Sequence, residues 1–200
     1  GKHAGFLAYC EFKGWDTQSY ISADHPLQKE IKKTVSEFYE VPEEELKCGI
    51  DGCSAPIFGM SVFSQAIAYK NLISNQFDIT TKKACSRIVE AVTSFPELVA
   101  GTQRYCTDLM KVTKGRIVGK TGADGVYSLS IPEKNWGIAI KVDDGKMGPQ
   151  YQIAHGILCA LGLLLPHEIE ALKSHGHCEN INFAGNTVGY SDIVALNCPL

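Results

Sequence analysis

Hydrophobic residues recur every three or four positions in four stretches of the first half of the chain, a spacing typical of amphipathic helices. This spacing predicts helices over 26–39, 61–73, 81–94 and about 104–112. Pro26 suits the first turn of the first helix, and Ser61 suits the N-cap of the second. The third helix is expected to end at Phe95-Pro96, because a residue before proline disfavours helical backbone.

The pattern then changes to short β-rich runs separated by turn residues. Strands are predicted over 116–119, 125–131 and 136–142, with turns at 132–135 and 143–145. They form an antiparallel meander. Helical spacing returns over about 148–164 and again after Pro166, and the tail 185–194 is a candidate last strand. The sequence therefore predicts one α+β domain over 1–200, with helices packed on an antiparallel sheet.

Two short segments lie between the first two predicted helices. Val41–Leu46 has an early proline followed by glutamates, which favours a short acidic turn of helix. Gly49–Pro56 is rich in turn residues. There, Asp51 could accept an amino group and Cys53 could bind a soft metal. An Asx-type turn beside a buried free cysteine explains the second segment equally well.

Composition and charge exclude several classes of protein. The chain is 44% hydrophobic and 20% charged with a formal net charge of -3, which argues against a disordered chain and gives no signature of nucleic-acid or membrane-surface binding. The longest apolar run, about 157–165, is too short to span a bilayer. The first residues show no signal peptide. We therefore expect a cytoplasmic protein.

The cysteines are too sparse to indicate a disulfide framework. There are eight of them in 200 residues: Cys10, Cys48, Cys53, Cys85, Cys106, Cys159, Cys178 and Cys198. This density favours reduced thiols in an intracellular protein. The four-residue spacing between Cys48 and Cys53 is not that of a zinc knuckle, and by itself it is a weak metal signal.

A tripeptide near the predicted meander carries the most specific chemistry. Lys120-Thr121-Gly122 matches the K-T-G that lines the active site of serine β-lactamases and penicillin-binding proteins. Lys120 would supply a fixed positive charge, and Thr121 a hydroxyl for substrate. Those enzymes also need an S-x-x-K, and no convincing one is present here. On three residues alone, a solvated lysine in a β-turn is the simpler interpretation.

The first five residues, Gly1-Lys2-His3-Ala4-Gly5, are a second ambiguous segment. A lysine and a histidine between glycines could bind a phosphate or a carboxylate. A frayed, solvated terminus explains the segment more simply, because chain ends are usually loose.

Several ordered segments together resemble one family. They are Gly1–Gly5, His25–Gln28, Gly49–Pro56, Lys120–Gly125 and Gly137–Gly145. This set is similar to the L-asparaginase II family of the Rhizobium etli type, which is distinct from the classical bacterial type II asparaginases. The resemblance covers nearly all of the chain. It implies a serine β-lactamase-like fold and hydrolysis of L-asparagine to L-aspartate and ammonia.

The resemblance also implies roles for individual residues. In this family a serine activated by the lysine of an S-x-x-K attacks the substrate, and a second serine–lysine pair assists. Lys120 matches the lysine of that second pair. Other matching residues are zinc ligands (Lys2, Cys53), residues that hold substrate (His3, Asp51) and a cysteine near the active site (Cys106). Asp51 would bind the substrate amino group, and zinc is the cofactor implied.

One departure from the family pattern concerns the first residues. The family sequence around Lys2 and His3 is C-S-G-K-H-A-G, whereas this sequence starts at its glycine. The third zinc ligand, the S-x-x-K and the second serine would all precede Gly1. We therefore expect the sequence to be the C-terminal part of a longer enzyme, and we expect the 200 residues alone to show no asparaginase turnover.

Two alternatives remain open at this point. One keeps the fold and changes the substrate, giving another β-lactamase-like serine acyl-transferase or peptidase. The other is a metal-binding or ligand-binding fragment without catalysis. For partners, the sequence predicts a small-molecule amide substrate, no nucleic acid and no membrane, and it leaves a homodimer open.

Overall fold

A computed structural model describes residues 1–74, 76–191 and 193. Its contacts divide the chain into two compact units, Gly1–Ala68 and Tyr69–Leu200. Within the described residues the elements are helices and small antiparallel sheets, which confirms the predicted α+β class. The single domain over 1–200 stays a prediction. No helix in the described part of the chain is both long and apolar enough to cross a membrane.

The first unit holds two helices, a hairpin and most of a third helix. The elements are α1 (Lys2–Lys13), α2 (Pro26–Tyr39), β1 (Lys47–Ile50), β2 (Pro56–Gly59) and α3 (Val62–Asn71), whose last residues belong to the second unit. Helix α2 begins as predicted. Pro26 occupies its first turn, and the His25 ring accepts a hydrogen bond from the Leu27 backbone N–H at 3.1 Å.

Two expectations for this unit are wrong. The first residues are not frayed, because α1 begins at Lys2 and the Gly5 N–H donates to the Gly1 carbonyl at 3.0 Å. The segment 41–46 forms a turn and no helix, because Pro42 at its start is followed by one turn-closing bond, from the Glu45 N–H to the Pro42 carbonyl.

The turn-rich segment 49–56 lies at the tip of the β1–β2 hairpin. Strand pairing is antiparallel, with Ile50 opposite Pro56. Two backbone hydrogen bonds close the tip: the Asp51 N–H donates to the Ala55 carbonyl at 2.9 Å, and the Ser54 N–H donates to the Asp51 carbonyl at 2.8 Å. This geometry agrees with the turn inferred from the sequence, but Cys53 is exposed, so the buried cysteine of that interpretation is wrong. The tip presents the Asp51 and Cys53 side chains from a fixed loop.

The second unit holds the predicted meander and most of the helices. Its elements are α4 (Ile79–Ser94), α5 (Pro96–Ala100), α6 (Tyr105–Val112), β3 (Val118–Thr121), β4 (Val126–Ile131), β5 (Trp136–Lys141), α7 (Met147–Ala160), α8 (Pro166–Gly176), β6 (Cys178–Ile181) and β7 (Thr187–Ser191). The sheet order β3-β4-β5 is antiparallel throughout, as predicted. The tail strand is confirmed as β7, and the predicted end at Val194 lies outside the described residues.

Three element boundaries in this unit differ from the predictions, each for a local structural reason. Helix α4 starts two residues early because the Asp78 side chain caps it. Helix α7 ends at Ala160, four residues early, since the chain turns through a left-handed Gly162. Strand β3 runs two residues further than predicted because Thr121 pairs with Tyr127. Lys120 and Thr121 therefore lie on the strand and not after it.

The core of the second unit lies where α6, α7 and α8 meet the meander. Helix α7 contacts β4 and β5, and α6 contacts β3 and α8. The buried cluster is apolar and aromatic: Tyr105, Cys106, Leu109, Met110, Ile117, Val118, Tyr127, Leu129, Ile131, Ile140, Ala154, Leu158, Leu163, Leu164 and Leu172. This packing fixes β3 and thereby the K-T-G residues near its end.

Candidate functional site

In the first unit, Lys2 and Cys53 converge on Asp51. Helix α1 presents Lys2 from its first turn, and the Lys2 Nζ donates to Asp51 Oδ2 at 2.7 Å. The Cys53 Sγ donates to the same oxygen at 3.2 Å. The Gly52 backbone N–H donates to the other carboxylate oxygen at 2.8 Å. Three of the sequence-predicted site residues thus form one exposed group.

Asp51 and Lys2 each stabilise the charged form of the other. The hydrogen bond from Lys2, followed by those from Cys53 and Gly52, lowers the pKa of Asp51 to about 2. The same carboxylate raises the pKa of Lys2 above its ordinary value. At neutral pH the group is therefore an ionised carboxylate paired with an ammonium, on a surface open to small molecules.

His3 has a different partner. Its ring Nδ1 lies 2.9 Å from the Tyr20 hydroxyl, and its ring meets Phe6 and Tyr20 edge-on. These contacts fix the imidazole on α1 beside the Lys2 position. The substrate-holding role of His3 stays a prediction.

The donor atoms around Asp51 are of the types that zinc accepts. A thiol, an amine and a carboxylate oxygen lie together there. Among the described residues no group of three or more histidine, cysteine, aspartate and glutamate side chains could hold a metal ion. A metal held at this place by the described residues alone would therefore need Lys2 as a ligand. Lys2 would first have to release its proton, as would the Cys53 thiol.

In the second unit, Lys120 is an exposed lysine on the edge strand β3. Its Nζ donates to the neighbouring Thr121 carbonyl. Among the described residues it forms no ion pair, so its ammonium is not neutralised by a carboxylate. In the antiparallel register Lys120 lies opposite Ser128 of β4. The sheet thus presents a positive charge near a strand end.

Thr121 is held much more tightly than Lys120. Its Oγ1 accepts hydrogen bonds from Gln150 Nε2 at 2.6 Å and from the Tyr151 hydroxyl at 3.3 Å, and it donates to the Gly122 carbonyl at 3.2 Å. Both donors belong to α7. Sequence reasoning missed the role of Gln150. The sequence held only a weak signal for it, because Gln152 and His155 are further polar residues of the same helix.

Cys106 lies in the core and not at the surface. It is fully buried on α6. Burial, followed by the proximity of the Cys106 thiol, raises the pKa of the Tyr127 hydroxyl well above its ordinary value. The Tyr127 hydroxyl lies against the backbone of β3, since a Cβ added at Gly119 would be 2.4 Å from it. Cys106 therefore belongs to the packed core on α6, the helix that contacts β3, and its predicted contact with substrate stays a prediction.

The comparisons with known proteins agree with the motifs. A sequence model of the L-asparaginase II family matches residues 1–193. A search of curated protein sequences gives no significant match. The family match includes every candidate residue: Lys2, His3, Asp51, Cys53, Cys106, Lys120 and Thr121. It spans nearly the whole chain and confirms the resemblance seen in the sequence, so the chain belongs to the L-asparaginase II family.

Proposed function

We propose that this chain provides substrate-binding and charge-tuning residues for the hydrolysis of L-asparagine to L-aspartate and ammonia. Membership in the L-asparaginase II family implies asparagine amidohydrolase activity. The observation that carries the proposal is the convergence of Lys2 and Cys53 on Asp51. Asp51 is a half-exposed carboxylate in a fixed turn that already pairs with one ammonium, that of Lys2, and its charge suits recognition of the substrate's α-ammonium group.

The chemical step requires a nucleophile that these 200 residues do not supply as an S-x-x-K. We assign it to a serine–lysine pair outside them. The serine oxygen attacks the side-chain amide carbon while the lysine takes its proton. The C–N bond then breaks, and the lysine returns the proton to the departing ammonia. Water hydrolyses the resulting ester and releases aspartate.

Lys120 is proposed to tune a second serine by its positive charge. Its geometry supports this role, because the ammonium is exposed and carries no carboxylate partner among the described residues. A nearby positive charge lowers the pKa of a hydroxyl and favours its ionised form. Thr121 is proposed to donate a hydrogen bond to the substrate from the adjacent position.

Zinc is proposed as the cofactor, with Lys2 and Cys53 as two of its ligands. A bound zinc ion would supply a fixed positive charge that positions the substrate. Metal content of the full-length protein tests this directly. Cys53→Ser should lose bound zinc, whereas Cys48→Ser, an exposed cysteine in the same hairpin, should retain it. Equal zinc content in all three proteins would contradict the assignment.

We also propose a finer fold assignment, a serine β-lactamase-like domain. These residues form only part of that domain. Its support is the position of Lys120-Thr121-Gly122 near the end of an edge strand, in an antiparallel meander that packs against helices. That position matches the place of K-T-G in β-lactamase-like enzymes.

The test of the function is ammonia release from L-asparagine by the full-length protein that contains this chain. Lys120→Met should lower kcat/KM by about 10²–10⁴-fold, the range typical of a group that assists proton transfer. Lys141→Met is the matched control, because Lys141 is also an exposed strand-end lysine whose Nζ donates to the next carbonyl. Labelling by a β-lactam without asparagine turnover would favour the acyl-transferase alternative and refute the proposal.

A further inference from the structure

We propose that Gln150 is a positioning residue that makes the Thr121 hydroxyl an obligatory hydrogen-bond donor towards substrate. The inference rests on the proposed function, because it takes Thr121 as a substrate contact. It concerns a residue of α7 that the motifs do not include.

Gln150 is a buried residue whose amide is hydrogen-bonded on one side only among the described residues. The side chain is fully buried, and its Nε2 donates to Thr121 Oγ1 at 2.6 Å. Its Oε1 is also buried and has no hydrogen-bond partner among the described residues. A buried carbonyl without a partner costs free energy, and an apolar side chain of the same size would avoid that cost. Stability alone therefore does not explain a glutamine here, and its one hydrogen bond to a described residue points to a role at Thr121.

The hydrogen bond from Gln150 determines which way the Thr121 hydroxyl can donate. A hydroxyl has two acceptor lone pairs and one proton to donate. Gln150 and the Tyr151 hydroxyl, at 2.6 and 3.3 Å, occupy the acceptor side. The proton is directed to the Gly122 carbonyl at 3.2 Å, a long bond that a better acceptor could replace. Thr121 can then donate to a substrate oxygen and cannot accept from a substrate N–H.

The consequence is selectivity between substrate groups of similar size. L-Asparagine presents acceptor oxygens on its α-carboxylate, whereas L-asparaginamide replaces one of them with an N–H donor. A hydroxyl fixed as a donor favours the carboxylate, and a hydroxyl free to rotate accepts either group. Gln150 therefore acts on substrate binding through Thr121, and its loss should appear in KM more than in kcat.

The experiment uses the full-length protein with Gln150→Met, Thr121→Val and the double variant. Gln150→Met should raise KM for L-asparagine by about tenfold, the loss expected for one hydrogen bond, and should reduce the preference over L-asparaginamide. In the Thr121→Val background, which lacks the hydroxyl, Gln150→Met should have no further effect. Gln150→Glu should regain affinity at acidic pH, where its protonated carboxyl can donate.

Gln152→Met is the matched control. Gln152 is buried on the same helix but donates to the Ser191 carbonyl at 2.5 Å. An equal KM increase in this variant, or additive effects of Gln150→Met and Thr121→Val, would overturn the proposal.

A second readout separates this proposal from the proposed function. The three-bond NMR coupling between the Thr121 Hβ and its hydroxyl proton reports the rotamer of that hydroxyl about the Cβ–Oγ bond without any substrate. We expect one rotamer in the wild type and in Gln152→Met, and averaging in Gln150→Met. If the wild type releases no ammonia, the asparaginase function fails, and the rotamer alone then decides the positioning role: an unchanged rotamer in Gln150→Met would overturn it.

Discussion

Loss of Arg116 should destabilise the second unit more than loss of its partner Glu168. The Glu168 side chain is only 3% exposed, and both of its carboxylate oxygens accept hydrogen bonds from Arg116 Nη2, at 2.8 and 2.7 Å. The Leu165 backbone N–H, at the start of α8, donates to the same carboxylate at 2.8 Å. The pair therefore ties the loop before β3 to the N-terminus of α8.

The magnitudes follow from the unequal burial of the two side chains. Arg116→Met leaves a carboxylate buried without its counter-charge, which costs about 3–5 kcal/mol. Glu168→Gln leaves an arginine that is 32% exposed and lies 3.9 Å from Glu133. Water still solvates its guanidinium, and Glu133 still provides a negative charge beside it. That change should cost only about 1–2 kcal/mol, the value of weakened hydrogen bonds.

The pH dependence provides a second check. Burial acts to raise the pKa of Glu168, but the Leu165 N–H and the Arg116 guanidinium outweigh it and hold the pKa below its ordinary value of 4.5. A carboxylate with a lowered folded-state pKa stabilises the fold above its unfolded pKa and loses that contribution as the pH falls through the folded pKa. In Arg116→Met the raising effect of burial is still opposed by the Leu165 bond and by the charge of the neighbouring His167, but no longer by the guanidinium. Protonation then relieves the buried charge, and the cost of the substitution should shrink below about pH 4.5.

The assay is urea unfolding followed by the fluorescence of Trp136, in a Trp15→Phe background so that the signal belongs to the second unit. The free energies of unfolding at pH 7 and pH 4 are compared for both variants. A larger loss for Glu168→Gln than for Arg116→Met, or an Arg116→Met cost that is equal at the two pH values, would refute the reasoning.

Three further predictions concern packing and capping, each measured by urea unfolding. Tyr105→Phe should leave stability unchanged or raise it by about 1 kcal/mol, because the Tyr105 hydroxyl is buried with no hydrogen-bond partner among the described residues. Gly119→Ala should destabilise the fold by about 1–3 kcal/mol, since its Cβ would lie 2.4 Å from the Tyr127 hydroxyl; combining it with Tyr127→Phe should recover part of the loss. Ser61→Ala should cost about 1 kcal/mol, because the Ser61 hydroxyl accepts from the Ser64 N–H at 3.0 Å at the start of α3.

The elements that the sequence predicted well are those whose cause is local. The meander was recognised because alternating strands and turn residues lie within one short stretch, and neighbouring strands pair with each other. Helix α2 was recognised because its proline, its cap and its apolar face all belong to the same segment. In each case the residues that specify the element are also the residues that form it.

Helix α1 was missed because its cause is not local. Its N-cap is Gly1, which offers no side-chain cap, a second glycine lies inside it at position 5, and its apolar face is weak. Its polar contacts include two with α2: the Tyr9 hydroxyl donates to Glu30 at 2.5 Å, and Lys13 lies 3.5 Å from the same carboxylate. Contacts between residues about twenty positions apart leave no trace in the spacing of hydrophobic residues along the chain.

The candidate site likewise combines short motifs that the sequence reveals with long-range contacts that it does not. Lys120-Thr121-Gly122 and the glycine-flanked Asp51 are short motifs, and both were found from the sequence. Their partners are distant in the chain, since Lys2 lies 49 residues from Asp51 and Gln150 lies 29 residues from Thr121. The resemblance to a family made Lys2 a zinc ligand, but only the structure shows its hydrogen bond to Asp51.

The comparison of Lys120 with Lys141 identifies what is special about the K-T-G strand. Both lysines are exposed near strand ends, and each Nζ donates to the carbonyl of the next residue. Local geometry therefore does not distinguish them. The difference lies in the neighbour, because Thr121 is fixed by two side chains of α7, whereas Lys141 is followed by an apolar valine. A positive charge contributes to catalysis only when the adjacent groups hold the substrate at the correct position relative to it. Equal losses of kcat/KM in Lys120→Met and Lys141→Met would mean that surface charge alone is responsible, whereas a loss confined to Lys120→Met would tie the effect to the ordered strand end.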